Sequence, residues 1–80
     1  MKSEFARAVK RALKQSIKGE VNCHIIQETL IIDIYGVNDI CYRYTMNNIS
    51  SEIVQGLTSK TVAYKVTKWY RSYINNLFFL

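Results

Sequence analysis

The hydrophobic period of this chain changes twice, and that change limits the folds open to it. Across residues 5–17 the large apolar residues recur every four positions, as Phe5, Val9, Leu13 and Ile17, with Ala8 and Ala12 beside them. That is the stripe of an amphipathic helix. Across residues 21–46 the period falls to two. Val21, Cys23 and Ile25, then Leu30, Ile32 and Ile34, then Ile40, Tyr42, Tyr44 and Met46 alternate with their neighbours, as half-buried strands do. From residue 59 the helical period returns through Val62, Val66, Trp69, Tyr70, Tyr73, Ile74, Leu77 and Phe78. Eighty residues that are 49% apolar leave room for one core, so a single domain over 1–80 is expected.

Parity fixes how the three strands pair, because residues opposite one another face the same side. A two-residue turn at Gln27-Glu28 sets Ile25 opposite Leu30 and Cys23 opposite Ile32. The second connection must hold an odd number of residues. Five of them, Gly36 to Ile40, set Asp33 opposite Arg43, whereas three set Asp33 opposite Cys41. The first is preferred, since opposite charges across strands stabilise by a few tenths of a kcal/mol. The helices are expected at 4–18, 50–55 and 59–78. Ser3 is the expected cap of the first, with Gly19 in the left-handed position after its end. Ser50 is the expected cap of the second, with Ile49 and Val54 as a hydrophobic staple and Gly56 as its stop. Thr58 or Ser59 caps the third. The fold class is therefore α+β, in the order α-β-β-β-α-α. The helices cover one face of a three-stranded antiparallel sheet, over Val21, Cys23, Ile25, Leu30, Ile32, Ile34, Tyr42 and Tyr44.

Charge is segregated along the chain. Residues 1–18 carry Lys2, Arg7, Lys10, Arg11, Lys14 and Lys18 against Glu4, a net +5. Residues 19–58 are net −4, and residues 59–80 are net +4 through Lys60, Lys65, Lys68 and Arg71. Two basic ends flanking an acidic middle can steer a polyanion to one surface. The plainer alternative is lysines that keep helices soluble.

Catalytic chemistry finds little footing. The single histidine, His24, points away from the core, and Cys23 beside it points the other way. His24, Asp33 and Cys41 share a face, but no C-x-x-C or H-x-x-x-H spacing supports a metal site. The same parity separates Cys23 from Cys41, so no disulfide is expected between them. Gly19, Gly36 and Gly56 form no phosphate loop. No enzyme activity, cofactor or metal is expected. The apolar runs are too short to span a bilayer. No apolar stretch follows Met1-Lys2-Ser3-Glu4, so no secretory leader is expected and the expected location is a reducing cytoplasm.

Three resemblances bear on function. The stretch Gly56-Leu57-Thr58-Ser59-Lys60-Thr61-Val62 resembles the turn and recognition-helix start of a helix-turn-helix, which implies base contacts from Ser59, Lys60, Ala63 and Tyr64. Ser51, Glu52, Gln55 and Lys65 stand where that family is apolar or small. The α-β-β-β-α core, with Ser59, Lys60 and Ala63, resembles the double-stranded RNA-binding domain. Thr61 and Tyr64 replace two of that family's lysines, and its proline-containing loop is absent. More broadly, Tyr44-Thr45-Met46-Asn47-Asn48-Ile49-Ser50, Gly56, Ser59, Tyr70-Arg71-Ser72-Tyr73-Ile74 and Leu77-Phe78-Phe79 resemble small phage and prophage proteins of Gram-positive bacteria. Several anti-CRISPR proteins of that origin share the size and element order. Acidic members imitate DNA. A chain of +5 would instead grip an acidic surface or a guide RNA.

The resemblance implies a small accessory protein, in the host cytoplasm, that modulates a host nucleoprotein or nucleic acid. The alternative is direct DNA or RNA binding through Arg7, Lys10, Arg11, Lys14, Lys18, Lys60, Lys65 and Lys68. A protein partner would instead meet the outer sheet face at Ile26, Ile31, Tyr35 and Arg43. The apolar end Leu77-Phe78-Phe79-Leu80 packs on the core or on a partner, so the chain is a monomer or a homodimer, the latter being a third, structural reading. No membrane partner is expected.

Overall fold

Each change of hydrophobic period marks a change of element. A computed structural model describes residues 2–36 and 39–79, with side chains through Asn75. Helix α1 (Lys2–Ser16) is followed by β1 (Glu20–Ile26), β2 (Thr29–Tyr35), β3 (Cys41–Met46), the short α2 (Ile49–Val54) and the long α3 (Ser59–Phe79). This is the expected α+β order.

The strands form an antiparallel meander in the order β1-β2-β3. Gln27 takes a positive φ of 56° in the two-residue turn between β1 and β2. The register sets Ile25 opposite Leu30 and Cys23 opposite Ile32, as parity requires. It also sets Asp33 opposite Arg43, the outcome of a five-residue connection. Arg43 closes a fork on the Asp33 carboxylate, with Nε to Oδ1 at 2.7 Å and a second N–H to Oδ2 at 3.1 Å.

Helices α1 and α3 lie side by side on one face of the sheet. The core joins Ala6, Val9, Leu13 and Ile17 to Val21, Leu30, Ile32 and Ile34, with Ile49, Val62, Ala63, Val66 and Tyr70 closing it. Cys23, Ile25, Tyr42 and Tyr44 sit half-buried around it. Helix α3 meets β3 through rings. Tyr70 packs edge-on against Tyr42 at 5.4 Å, and Trp69 against Tyr44 at 5.2 Å.

Four local expectations need correction. Helix α1 ends at Ser16 and already includes Ser3, so Ser3 is a helical residue and not its cap. Gly19 does take a positive φ, at 118°, but it leads into β1 instead of closing the helix. Helix α2 is not capped by Ser50. Its preceding residue is Asn48, in the left-handed region, with no side-chain cap bond. The cap comes from the β1–β2 turn. Glu28 accepts from the Ser50 N–H at 2.9 Å and from the Ser50 hydroxyl at 3.0 Å, and its carbonyl accepts from the Ile49 N–H at 2.9 Å. The staple fails as well, for Ile49 is buried while Val54 is 86% exposed.

The other ends follow their signals. Gly56, at φ 109°, closes α2 in a Schellman arrangement. Its N–H bonds the Ile53 carbonyl, and the Leu57 N–H bonds the Glu52 carbonyl. The Thr58 hydroxyl caps α3 by accepting from the Thr61 N–H at 3.2 Å. The side chains of residues 77–80, the apolar end of the sequence, lie outside the described residues.

Candidate nucleic-acid interface

Because α1 and α3 pack together, the two basic ends of the sequence share one layer, while the sheet and α2 hold the acidic middle. On α1 the core stripe fixes the orientation of everything else. With Val9 and Leu13 buried, Arg7, Arg11 and Lys14 are carried to the outside, at about 100° per residue. Lys18, just past the helix, is also exposed. Lys10 is half-buried on the β1 side, near enough to Cys23 for its charge to act on that thiol.

On α3, Lys60, Lys65, Lys68 and Arg71 are all exposed. Lys60, Lys68 and Arg71 line a groove of about 760 Å³ between α3 and α1, floored by Ala12, Ser16, Ala63 and Thr67. Lys65 stands on the opposite flank of α3, where it shares a second groove of about 500 Å³ with Lys68, Tyr64, Tyr44, Trp69 and Tyr73. Among the described residues no carboxylate lines either groove. Of the predicted cations, the structure therefore gathers Lys60 and Lys68 in one groove and Lys65 and Lys68 in the other. The α1 residues form a separate outer stripe.

Of the contacts implied by the helix-turn-helix resemblance, Lys60 and Tyr64 are exposed and Ser59 is half-buried. Ala63 is buried and cannot touch a base. Sequence reasoning left out Arg71 as a site residue and read Trp69 and Tyr73 as core. Tyr73 is in fact 49% exposed and Trp69 half-buried. The missed signal is the interleaving of Tyr64, Lys65, Lys68, Trp69 and Tyr73, which is excessive for a purely internal stripe.

The outer sheet face carries Ile26, 56% exposed, Tyr35, 39% exposed, the exposed Arg43 and a half-buried Ile31, as the alternation requires. His24 and Cys41 stand near Asp33 on this face and, after Arg43, help to hold its carboxyl down. Among the described residues no three His, Cys, Asp or Glu side chains could hold a metal ion. Asp33 is committed to Arg43, whose hydrogen bonds hold its carboxyl below the usual range. Both cysteines are free. Burial pushes the Cys23 thiol up to about 11 against the opposing pull of Lys10, so it stays protonated and weakly nucleophilic at neutral pH. Among the described residues no helix is long and apolar enough to cross a membrane.

No family model matches this chain, and no curated protein or solved structure matches it either.

Proposed function

We propose that this chain is a small, non-enzymatic binding protein that lays its helical layer on the phosphates of a nucleic acid, free or within a host nucleoprotein. The observation that carries this reading is the charge layout. The segments at +5 and +4 pack together as one layer, and the −4 segment forms the layer behind them. Phosphates would meet Arg7, Arg11, Lys14 and Lys18 on one flank and Lys60, Lys68 and Arg71 on the other. Such contacts position a backbone without reading its sequence. The resemblance to phage and prophage proteins supports an anti-CRISPR-like setting in a host cytoplasm.

A second reading has an observation of its own. Ile26 and Tyr35 are bare on the outer sheet face beside Arg43, as they would be at a protein interface.

Fluorescence polarisation against a labelled duplex at two salt concentrations separates the two. Phosphate binding is expected to weaken with a log-log slope of about −0.9 per contact, so four contacts cost about 150-fold between about 50 and about 200 mM salt. Arg11→Glu/Lys14→Glu should flatten the slope by about 1.8. Ile31→Ala/Tyr35→Ala should leave binding within about twofold, because surface changes away from the contacts act weakly. Absence of binding at low salt sinks the phosphate reading and turns attention to the sheet face.

A further inference from the structure

The outer surface of α3 holds more than charge. Tyr64 is 68% exposed, larger and more apolar than a solvated helix position needs. It stands on the ridge between the two grooves and lines both. On the flank facing β3 the rings form a connected set. Trp69 packs edge-on to Tyr44 at 5.2 Å and 68°, and Tyr73 packs on Trp69 at 5.2 Å and 69°. Tyr42 steadies Tyr73 from the sheet at 5.9 Å. Edge-to-face contacts fix ring planes, so these side chains give up little further freedom when a planar group arrives. Lys65 and Lys68 border the same rings, and among the described residues no carboxylate lies with them.

Exposed rings between cations, with no opposing charge, match a polyanion whose planar groups are free to stack. A duplex offers the phosphates but keeps its bases stacked on one another. A single strand offers both, and ring stacking tolerates any base because every base has a π-face. A protein segment would satisfy the rings but would need its own acidic groups spaced to meet the lysines.

We infer that this flank of α3 is a base-stacking site for single-stranded nucleic acid, with Tyr64 and Tyr73 as platforms and Lys65 and Lys68 as phosphate contacts. The inference deepens the reading above and rests on it for the choice of a polyanion. The α1 stripe then serves as an electrostatic approach surface, and the aromatic flank selects the strand form.

The test compares a labelled oligo(dT) of about fifteen nucleotides, the matching oligo(rU), and a duplex with the same number of phosphates. The full chain is expected to bind at least one single strand roughly tenfold or more tightly than the duplex, and the two oligonucleotides separate DNA from RNA. Tyr64→Ala and Tyr73→Ala should each weaken single-strand binding by roughly five- to a hundredfold, and duplex binding by less than about twofold. Lys65→Ala and Lys68→Ala should each flatten the single-strand salt slope by about 0.7. Trp69 is the only tryptophan, so quenching of its emission by the oligonucleotide reports on the site directly. Thermal melting of each variant confirms that it is folded, as expected for positions this exposed. Equal affinity for single strand and duplex, or wild-type single-strand affinity in the tyrosine variants, overturns this inference and leaves phosphate binding standing. Absence of binding to either form at low salt overturns both.

Discussion

The two faces of the sheet are built from alternate residues of the same three strands, yet different physics holds them. On the covered face Val21, Leu30, Ile32 and Ile34 are wholly removed from water beneath α1 and α3. On the open face the best-fixed feature is one ion pair, Asp33–Arg43, with Ile26 and Tyr35 left bare around it. Apolar burial scales with area, so stability resides on the covered face. The open face carries little of that weight and is free to serve a partner or to vary. The covering helices show the same division on their own two sides. Their inner stripes bury the sheet, and their outer sides carry the cations.

The sharpest way to break this comparison uses two neighbours on β2. Ile32→Ala removes a fully buried side chain and should cost about 2–5 kcal/mol, read from urea denaturation at unchanged m-value. Ile31→Ala, one residue away and pointing to the open face, should cost less than about 1 kcal/mol. Equal costs would mean that the open face is covered in solution. A midpoint that rises with protein concentration would then identify the cover as a second copy.

A smaller effect is expected from a change that favours neither face. Gly19 leads into β1 at φ 118°, and a Cβ there would lie 2.6 Å from the Tyr35 carbonyl oxygen. Both the backbone conformation and the contact oppose a side chain. Gly19→Ala should destabilise by about 1–3 kcal/mol through the backbone alone. Its amide spectrum should shift first at Glu20 and Tyr35, the first register pair of β1 and β2. A neutral result would show that this end of the sheet can open at little cost.

The fold was largely legible in the sequence because its signals are local and mutually consistent. Period assigned the elements, and parity with one charge pair set the register down to Asp33 opposite Arg43. What escaped were features made by residues distant in the chain. The cap of α2 comes from Glu28, more than twenty residues upstream, and no pattern around Ser50 could announce it. The site divides in the same way. That Arg7, Arg11 and Lys14 would be exposed follows from the stripe of α1, whereas the half-burial of Lys10 against β1 does not. The grouping of Lys60, Lys68 and Arg71 against Ala12 and Ser16 depends on how two helices dock. Trp69 and Tyr73 read as core because their spacing is that of a core stripe, and only their packing against the rings of Tyr44 and Tyr42 on β3 leaves them at the rim.

The smallest expected effect concerns two carboxylates, Glu28 at the edge of the fold and Asp33 on the open face, and it separates the two places. Glu28 is held down to about 2 from an ordinary 4.5, first by the hydrogen bond from Lys2 and then by those from Ser50. Asp33 is held below its ordinary 3.8, chiefly by Arg43. In both cases the folded value lies below the unfolded one. Their stabilisation is therefore complete above the ordinary carboxylate range and fades as pH falls through the folded value. For Glu28 the window runs from about 4.5 down to about 2. For Asp33 the loss begins below 3.8. Urea midpoints taken down this range should fall more gently in Glu28→Gln than in the parent, with the change already visible near the top of the window. Asp33→Asn should leave that upper part intact and flatten only the lower part. Solvent reaches the Lys2–Glu28 pair, with each side chain nearly half exposed, so salt should shrink the Glu28 effect. The Asp33 effect should resist salt better, because its carboxylate is buried beneath the Arg43 fork. If salt erases both equally, the Asp33–Arg43 pair is as wet as the pair at the edge, and the open face lacks even its one fixed element.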